Sequence, residues 1–421
     1  MDGESGSRAD ITLASDLESA YAQFDKAAKA ILERYGFGDC TLEQICYSEN
    51  HTYRITRQNG QPFATVRVCR PGYRSLRELQ SEIAWLVSIH SQVKLEGVEI
   101  IQPMRALDGS VIQVATMPDG GVFHGVVFSY MGGSAPDEAD GEAMRRLFRR
   151  LGVLAAMLHE QARGLEAVAM LDEQTWGLGN AVTSHEHAWS LGATAALGEQ
   201  TQGLGPAALL HGDDQDLGLG AALHGDDQGF GATTGLCCTS KLPIARPVWD
   251  CDSTLGSHAL WGDWRAFADF APQERGLLEH AEARIRATMA AYGKPRGRFG
   301  LIHADMRLAN LLVDGDTLRL LDFDDCAYSW HLFDLAASLS FIEARPDLAD
   351  LIAAWLAGYR TVPTSCPLAG MDLAVIPSLI MMRRLQLTGW LATRHDSDPV
   401  SALLPGWKTD TLSLAARYLQ G

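Results

Sequence analysis

The chain has 421 residues, 47% hydrophobic and 21% charged, which excludes wholesale disorder and allows a sizeable core. Its 35 Lys and Arg against 52 Asp and Glu give a net charge of −17, which excludes non-specific nucleic-acid binding, since that needs cations facing phosphates. No apolar run reaches the roughly 18–20 residues that span a bilayer, the polar start has no signal-peptide pattern, and the eight cysteines form no CxxC. The expectation is a cytoplasmic protein with reduced thiols and no membrane partner.

Residues 1–14 read as a flexible lead. Ser15 to Glu18 is a capping box, and Leu17, Tyr21, Phe24, Ala28, Ile31, Leu32 and Tyr35 then repeat at helical spacing. Cys40–Ser48, His51–Arg57 and Phe63–Arg70 are short runs rich in β-formers, with Asn59-Gly60 as a turn between the last two. They predict an antiparallel meander. A helix is expected over Arg74–Ser91, then strands over Val98–Ala106, Val111–Thr116 and Val122–Tyr130. Gly132-Gly133 breaks the chain, and the pattern turns helical from Asp137 to Arg163.

Residues 164–240 hold 14 glycines and ten acids but no Lys or Arg. They also carry a near-repeat, Ala207 to Gln215 and Ala221 to Gln228. The block reads as a low-complexity insertion, and removing it takes the net charge from −17 to −7. Helical patterns resume at Pro272–Tyr292, Leu332–Glu343, Pro346–Arg360 and Leu373–Arg394. The expected organisation is an N-lobe over 15–131 and a helical C-lobe over 132–421 interrupted by 164–240.

The chemistry lies between Phe299 and Asp325. Asp305 and Asn310 are five apart in a polar loop. Leu311–Val313 and Leu318–Leu321 form a hairpin across Asp314-Gly315, which returns Asp322 to the side of Asn310. One amide and one carboxylate oxygen can share a hard cation such as Mg²⁺, while Asp305 reaches an incoming hydroxyl. That arrangement suits phosphoryl transfer.

The run His303-x-Asp305-x(4)-Asn310 followed by Asp322-Phe-Asp324 resembles the catalytic and metal-binding loops of the aminoglycoside phosphotransferase family. These are kinase-fold enzymes related to choline kinases, type II homoserine kinases and a bacterial stress-response protein kinase. The resemblance is specific over 299–343 and looser over 40–163 and 243–400. It implies a bilobal, protein kinase-like α+β fold, with an antiparallel-sheet N-lobe and a mostly helical C-lobe. It makes Asp305 the catalytic Asp, Asn310 and Asp322 the Mg²⁺ ligands, and His303 the prop of the loop. Two further triplets, His211-Gly-Asp213 and His224-Gly-Asp226, lack the Asn and the Asp-Phe-Asp run and read as decoys.

A kinase-like small lobe also needs a cation on its third strand and a helical acid to fix it. Alternation along Phe63–Arg70 puts Val66 and Val68 on one face and Thr65, Arg67 and Cys69 on the other. The cation position falls on Arg67, where protein kinases use Lys. Glu82 is the best-placed acid, with Glu78 one turn earlier as competitor. Ser48 to Tyr53 stands where a phosphate-covering loop belongs, without glycine. Backbone groups at Ser129–Met131 would pair with adenine.

The family places its acceptor beside the catalytic loop, where acids bind amino groups. Asp324 leads the candidates, with Asp325, Asp334 and Glu343 behind it. Trp249, Trp261 and Trp264 are candidate walls but read more readily as core. Arg383-Arg384 serves an anionic group or caps a carboxylate. The expected reaction is ATP- and Mg²⁺-dependent transfer of the γ-phosphoryl group to a hydroxyl of a small, amine-bearing acceptor. A protein Ser/Thr kinase of the stress-response type and a non-catalytic nucleotide-sensing pseudokinase scaffold are the alternatives.

Overall fold

The structure is a computed structural model that describes residues 21–47, 50–176, 244–394 and 403–421. The chain separates into two units, residues 1–166 with 244–421, and residues 167–243. Both decoy triplets, the near-repeat, Ser48 and Glu49 lie outside the described residues.

The N-terminal part is built on one antiparallel sheet. Its strands are β1 (Thr41–Tyr47), β2 (Asn50–Thr56), β3 (Pro62–Cys69), β5 (Ile112–Thr116) and β6 (Val122–Ser129), in the order β1-β2-β3-β6-β5. The period-two pattern sorts β3 as expected. Ala64, Val66 and Val68 pack with Phe24, Ala28 and Ile31 of a helix over residues 21–34, here α1. Arg67 and Cys69 turn to the opposite face, under helix α2 (Leu76–Gln92). Ser75 caps α2 in a reciprocal box with Glu78. Glu78 is thereby committed as a half-buried cap, and Glu82, one turn on, is fully buried.

One expected strand is redistributed. Only Val98–Ile100 (β4) is extended, and it leaves the first sheet. It pairs in parallel with β9 (Thr317–Leu320), which pairs antiparallel with β8 (Leu311–Asp314). Pro103 has no N–H to give a ladder, and this stretch meets β6 only at an isolated bridge, Pro103 to Phe128.

Helices dominate the remainder. Helix α3 (Gly141–Trp176) continues past Arg163, where the sequence pattern stops, because Leu165–Met170 keeps good helix formers without an apolar stripe. It is followed by α4 (Pro272–Tyr292), α5 (Phe333–Ser338), α6 (Leu348–Tyr359), α7 (Ile376–Thr393) and α8 (Trp407–Gln420). Helix α5 is shorter than its pattern because the chain turns after Ser338 and takes a left-handed conformation at Phe341, φ 72°. Two glycines let α3 and α6 touch backbone to backbone. A methyl added at Gly152 would meet the Trp355 carbonyl, and one at Gly358 would meet the Arg149 carbonyl.

A second small ladder pairs β7 (Phe299–Ile302) with β10 (Ala327–Trp330), Ala327 opposite Ile302. It sets the start of the catalytic run against the end of the Asp322–Asp325 loop. Trp249, Trp264, Trp330 and Phe333 are buried. Among the described residues, no helix is long and apolar enough to cross a membrane, and Cys40, Cys69, Cys251, Cys326 and Cys366 are free.

Candidate active site

The loop after β7 is held from below. Asp334, at the start of α5, is fully buried and accepts from the Ala304 amide at 2.6 Å and the His303 amide at 3.3 Å. His159 of α3 meets the same carboxylate at 2.9 Å and the Tyr359 hydroxyl at 3.0 Å. Burial pushes Asp334 up to about 6 and His159 well below the ordinary histidine value. Ala304 is bent into the left-handed region, φ 67°.

His303 lies between the Asp305 loop and the Asp322 hairpin. Its Nε2 donates to the Leu321 carbonyl at 3.0 Å, and its Nδ1 accepts from the Asp305 amide at 3.2 Å. These partners fix the neutral tautomer with the proton on Nε2, and burial pushes its pKa down. One ring therefore ties the Asp305 loop to the hairpin that delivers Asp322.

Asp305 is the most heavily contacted carboxylate of the site. Its Oδ1 takes Arg383 from α7, and its Oδ2 takes Asn310 Nδ2 at 2.8 Å and Arg307 Nε at 3.2 Å. Burial alone would raise its pKa. The Arg307 and Arg383 guanidiniums outweigh burial and hold it below the usual carboxylate range. Arg383 thus caps a carboxylate, and Arg384 does the same for Glu343 at 3.1 Å.

Asn310 and Asp322 do come together. The Leu321 amide donates to the Asn310 carbonyl at 2.9 Å, so the hairpin closes as its spacing predicts. Asn310 spends its amide hydrogens on the Asp305 carbonyl and Oδ2, which leaves its side-chain oxygen for a cation. Asp322 takes a left-handed backbone, φ 50°, and its side chain is 47% exposed to the cleft. Confinement there, with Asp324 and Asp305 adding like charge, raises it to about 6. Asp324 is 3% exposed, and its Oδ1 has no hydrogen-bond partner. Among the described residues no three His, Cys, Asp or Glu close into a ready-made metal cage. An oxygen set of this kind fits Mg²⁺, which takes one or two carboxylates and completes its shell with water and phosphate.

On the nucleotide side, Arg67 and Glu82 form a buried pair, with Arg67 Nη2 2.8 and 2.7 Å from the two carboxylate oxygens. Arg67 Nη1 lies 3.7 Å from Asp322 and 3.8 Å from Asp324. At the expected adenine edge, the Ser129 amide already donates to Gln102 at 2.9 Å and the Tyr130 amide to Phe63 at 3.0 Å. Met131 has no such backbone partner among the described residues. The Ser129 amide is therefore committed to the strand edge.

The candidate acceptor acids have separate fates. Asp324 faces the N-lobe, accepting from Asn50 Nδ2 at 2.9 Å. Asp325 takes Arg74 at 2.6 Å and the Tyr73 hydroxyl at 3.0 Å. Asp334 and Glu343 are buried and partnered. Trp249 and Trp264 are core, whereas Trp261 lines a cavity with Asp305, Arg307, Asp322, Leu387 and Trp390. Sequence reasoning missed Arg307, although it lies two residues from Asp305. It also missed Arg246, which donates to the Asp324, Cys326 and Glu78 carbonyls and has no local signal.

Comparison with known proteins agrees with this geometry. Residues 242–368 match the phosphotransferase enzyme family. The chain is 25% identical to the amicoumacin kinase of Bacillus subtilis (strain 168) over 390 residues, 90% of this chain and 88% of that one. Its fold is similar to that of the microcompartment-associated aminopropanol kinase, with 26% identity, coverage of 93% and 97%, and a TM-score of 0.66. It is also similar to the amicoumacin kinase hAmiN, whose structure holds AMP-PNP, Ca²⁺ and Ami, at 16% identity, 88% coverage of each chain and a TM-score of 0.55. The last likeness speaks for the fold alone.

Proposed function

We propose that the chain, whose residues 242–368 match the phosphotransferase enzyme family, is a kinase that acts on small hydroxyl-bearing substrates, with the following finer reaction. It transfers the γ-phosphoryl group of ATP, with Mg²⁺, to the hydroxyl of a short amino alcohol or a hydroxylated amine antibiotic. The observation that carries this reading is the placement of Asp305 and Asp322 at one cavity, with Asn310 hydrogen-bonded to Asp305 at 2.8 Å and Arg67, held by Glu82, 3.7 Å from Asp322.

Asp305 acts mainly by orientation. Two guanidiniums and an amide neutralise it, so it is a weak base for a ground-state alcohol. It holds the hydroxyl in line and accepts the proton only after the oxygen–phosphorus bond has largely formed. Asn310 and Asp322 would hold the metal, and Asp324 Oδ1, which accepts no hydrogen bond among the described residues and lies 3.8 Å from Arg67 Nη1, would add a ligand or a bridging water. The metal supplies charge neutralisation at the phosphates. Arg67, kept in place by Glu82, would turn its Nη1 to the same phosphates. Met131 offers the backbone edge for adenine.

The aromatic wall of Trp261, Phe341 and Trp390 suits the carbon skeleton of the acceptor. The deciding experiment is a screen with γ-labelled ATP, Mg²⁺ and a panel including 1-amino-2-propanol and amicoumacin. Labelled product should appear with the wild type and be lost with Asp305→Ala. A panel with no Asp305-dependent product would refute the reading. For the metal, Asp322→Asn should weaken Mg-ATP binding far more than Mg-free ATP binding; equal effects would contradict the assignment.

A further inference from the structure

Residues 244–249 form a strap between two parts of the site. On one side the strap lies along β10. The Tyr328 amide donates to the Pro247 carbonyl at 2.9 Å, the Trp249 amide to the Tyr328 carbonyl at 2.8 Å, and the Tyr328 hydroxyl to the Ile244 carbonyl at 3.3 Å. On the other side it meets α2, where the Ala245 amide donates to the Ser81 hydroxyl at 2.9 Å. Arg246 joins the two sides. It is 7% exposed, and each of its three guanidinium nitrogens donates to a backbone carbonyl. Nε donates to Cys326 at 2.7 Å, Nη2 to Asp324, and Nη1 to Glu78 at 3.1 Å. The Glu78 carbonyl is the one that the helix repeat sets against the Glu82 amide, and Ser81 adjoins Glu82. A buried cation is costly, and an apolar side chain would fill the same space without that cost. What the guanidinium adds is a rigid planar fork, which holds carbonyls of two distant segments at a set spacing.

We propose that Arg246 is a positioning residue that pins helix α2 to the Asp322–Asp325 loop, so that Arg67 and Glu82 on one side and Asp322 on the other meet Mg-ATP at a fixed spacing. This rests on the phosphotransferase reading above. Arg246 acts through other residues. It reaches α2 through the Glu78 carbonyl, one turn before Glu82, and the metal loop through the Asp324 and Cys326 carbonyls, two and four residues beyond Asp322. Arg67 Nη1 and Asp322 face each other across this joint at 3.7 Å. A phosphate that carries Mg²⁺ must touch both, so its binding depends on their spacing. A nucleotide without the metal leans on Arg67 and feels the joint much less. Asn50 also meets Asp324 at 2.9 Å, and Arg74 meets Asp325 at 2.6 Å, but these contacts join side chain to side chain. Arg246 instead grips backbone on both sides.

The test is calorimetric titration of the full chain with AMP-PNP, with and without Mg²⁺. It compares wild type, Arg246→Lys, Arg246→Ala, Glu82→Gln and the double variant Arg246→Lys with Glu82→Gln, and melting curves check that each is folded. Arg246→Lys keeps the charge and the stem but loses the fork. It should weaken Mg-AMP-PNP binding by about tenfold or more and Mg-free binding by less than about threefold, with Arg246→Ala weaker still. Because the pin works through Glu82, Arg246→Lys should cost less than about threefold in the Glu82→Gln background. Unchanged binding, equal losses with and without Mg²⁺, or full additivity with Glu82→Gln would each overturn the proposal. An Arg246→Lys chain that does not fold would overturn it in favour of a purely structural arginine. A wild type that binds AMP-PNP no better with Mg²⁺ than without it would instead sink the Mg²⁺-dependent phosphotransferase reading itself.

Discussion

Arg67 grips Glu82 through a single nitrogen, Nη2, which bridges both carboxylate oxygens at 2.8 and 2.7 Å and leaves Nη1 directed at Asp322 and Asp324. The pair is thus an anchor on one side and a reaching cation on the other. Arg67→Met should weaken binding of a non-hydrolysable ATP analogue by about ten- to a hundredfold, the worth of a charge-assisted hydrogen bond. Glu82→Ala should also cost about 3–5 kcal/mol of stability, because it strips the partner from a buried charge. Calorimetric titration and denaturant unfolding measure the two effects.

Arg383 should be visible in a pH profile. It is one of two cations that hold Asp305 below the usual carboxylate range. Arg383→Met removes one of them, so Asp305 will protonate at higher pH. The acidic limb of kcat/KM should move up by about one unit or more. An unmoved limb with a lower plateau would assign Arg383 to packing alone.

Acid should loosen the fold earlier than the carboxylates dictate. His159, His303 and His331 are buried and held below the ordinary histidine value, and burial lowers His51 to about 4. A folded pKa below the unfolded one means that the unfolded chain binds the extra proton. Stability is therefore full above about 6.5 and falls as pH drops, by up to about 1.4 kcal/mol per unit for each histidine. Asp322 and Asp334, both raised to about 6, work with the opposite sign and offset two of them. Denaturant midpoints between pH 7.5 and 4.5 should decline, and His51→Gln should flatten the curve.

The crossing of α3 and α6 tolerates no side chain at Gly152 or Gly358. Either Gly→Ala change drives a methyl into a carbonyl of the facing helix. Each should cost about 3 kcal/mol or more, against a gain of about 1 kcal/mol for the same change on an exposed helix face. Thermal unfolding of the two variants decides this, and a neutral result would contradict the close approach.

Much of this arrangement could be read from short-range pattern. The meander, the β3 alternation that turns Arg67 inward and the hairpin that brings Asp322 to Asn310 each follow from a local period or turn signal. Glu82 could be separated from Glu78 only by the Ser75 cap, which the sequence also contains. What escaped has long range. Arg383 reaches Asp305 across 78 residues, and His159 reaches Asp334 across 175. Strand β10 has a partner only because β7 precedes it by a whole catalytic loop. The Val98–Ala106 run has strand-forming residues, but Pro103 and a second sheet decide where it ends and with what it pairs. Helix α8 was missed although Trp407, Thr411, Ala415 and Tyr418 lie along one face and are buried.

The left-handed turn at Ala304 limits what a diagnostic pattern can contain. The residue between His303 and Asp305 is fully buried and sits at φ 67°, with its amide spent on Asp334. Glycine adopts that conformation freely, alanine at about 1–2 kcal/mol, and β-branched residues less readily still. The middle letter of the triplet is therefore chosen by backbone sterics, independently of the chemistry on either side. A search that demands glycine there would pass over this loop and select His211-Gly-Asp213 and His224-Gly-Asp226 in the same chain. The letters that discriminate are the distant ones, Asn310 and Asp322, which under the proposed reaction would share one metal ion.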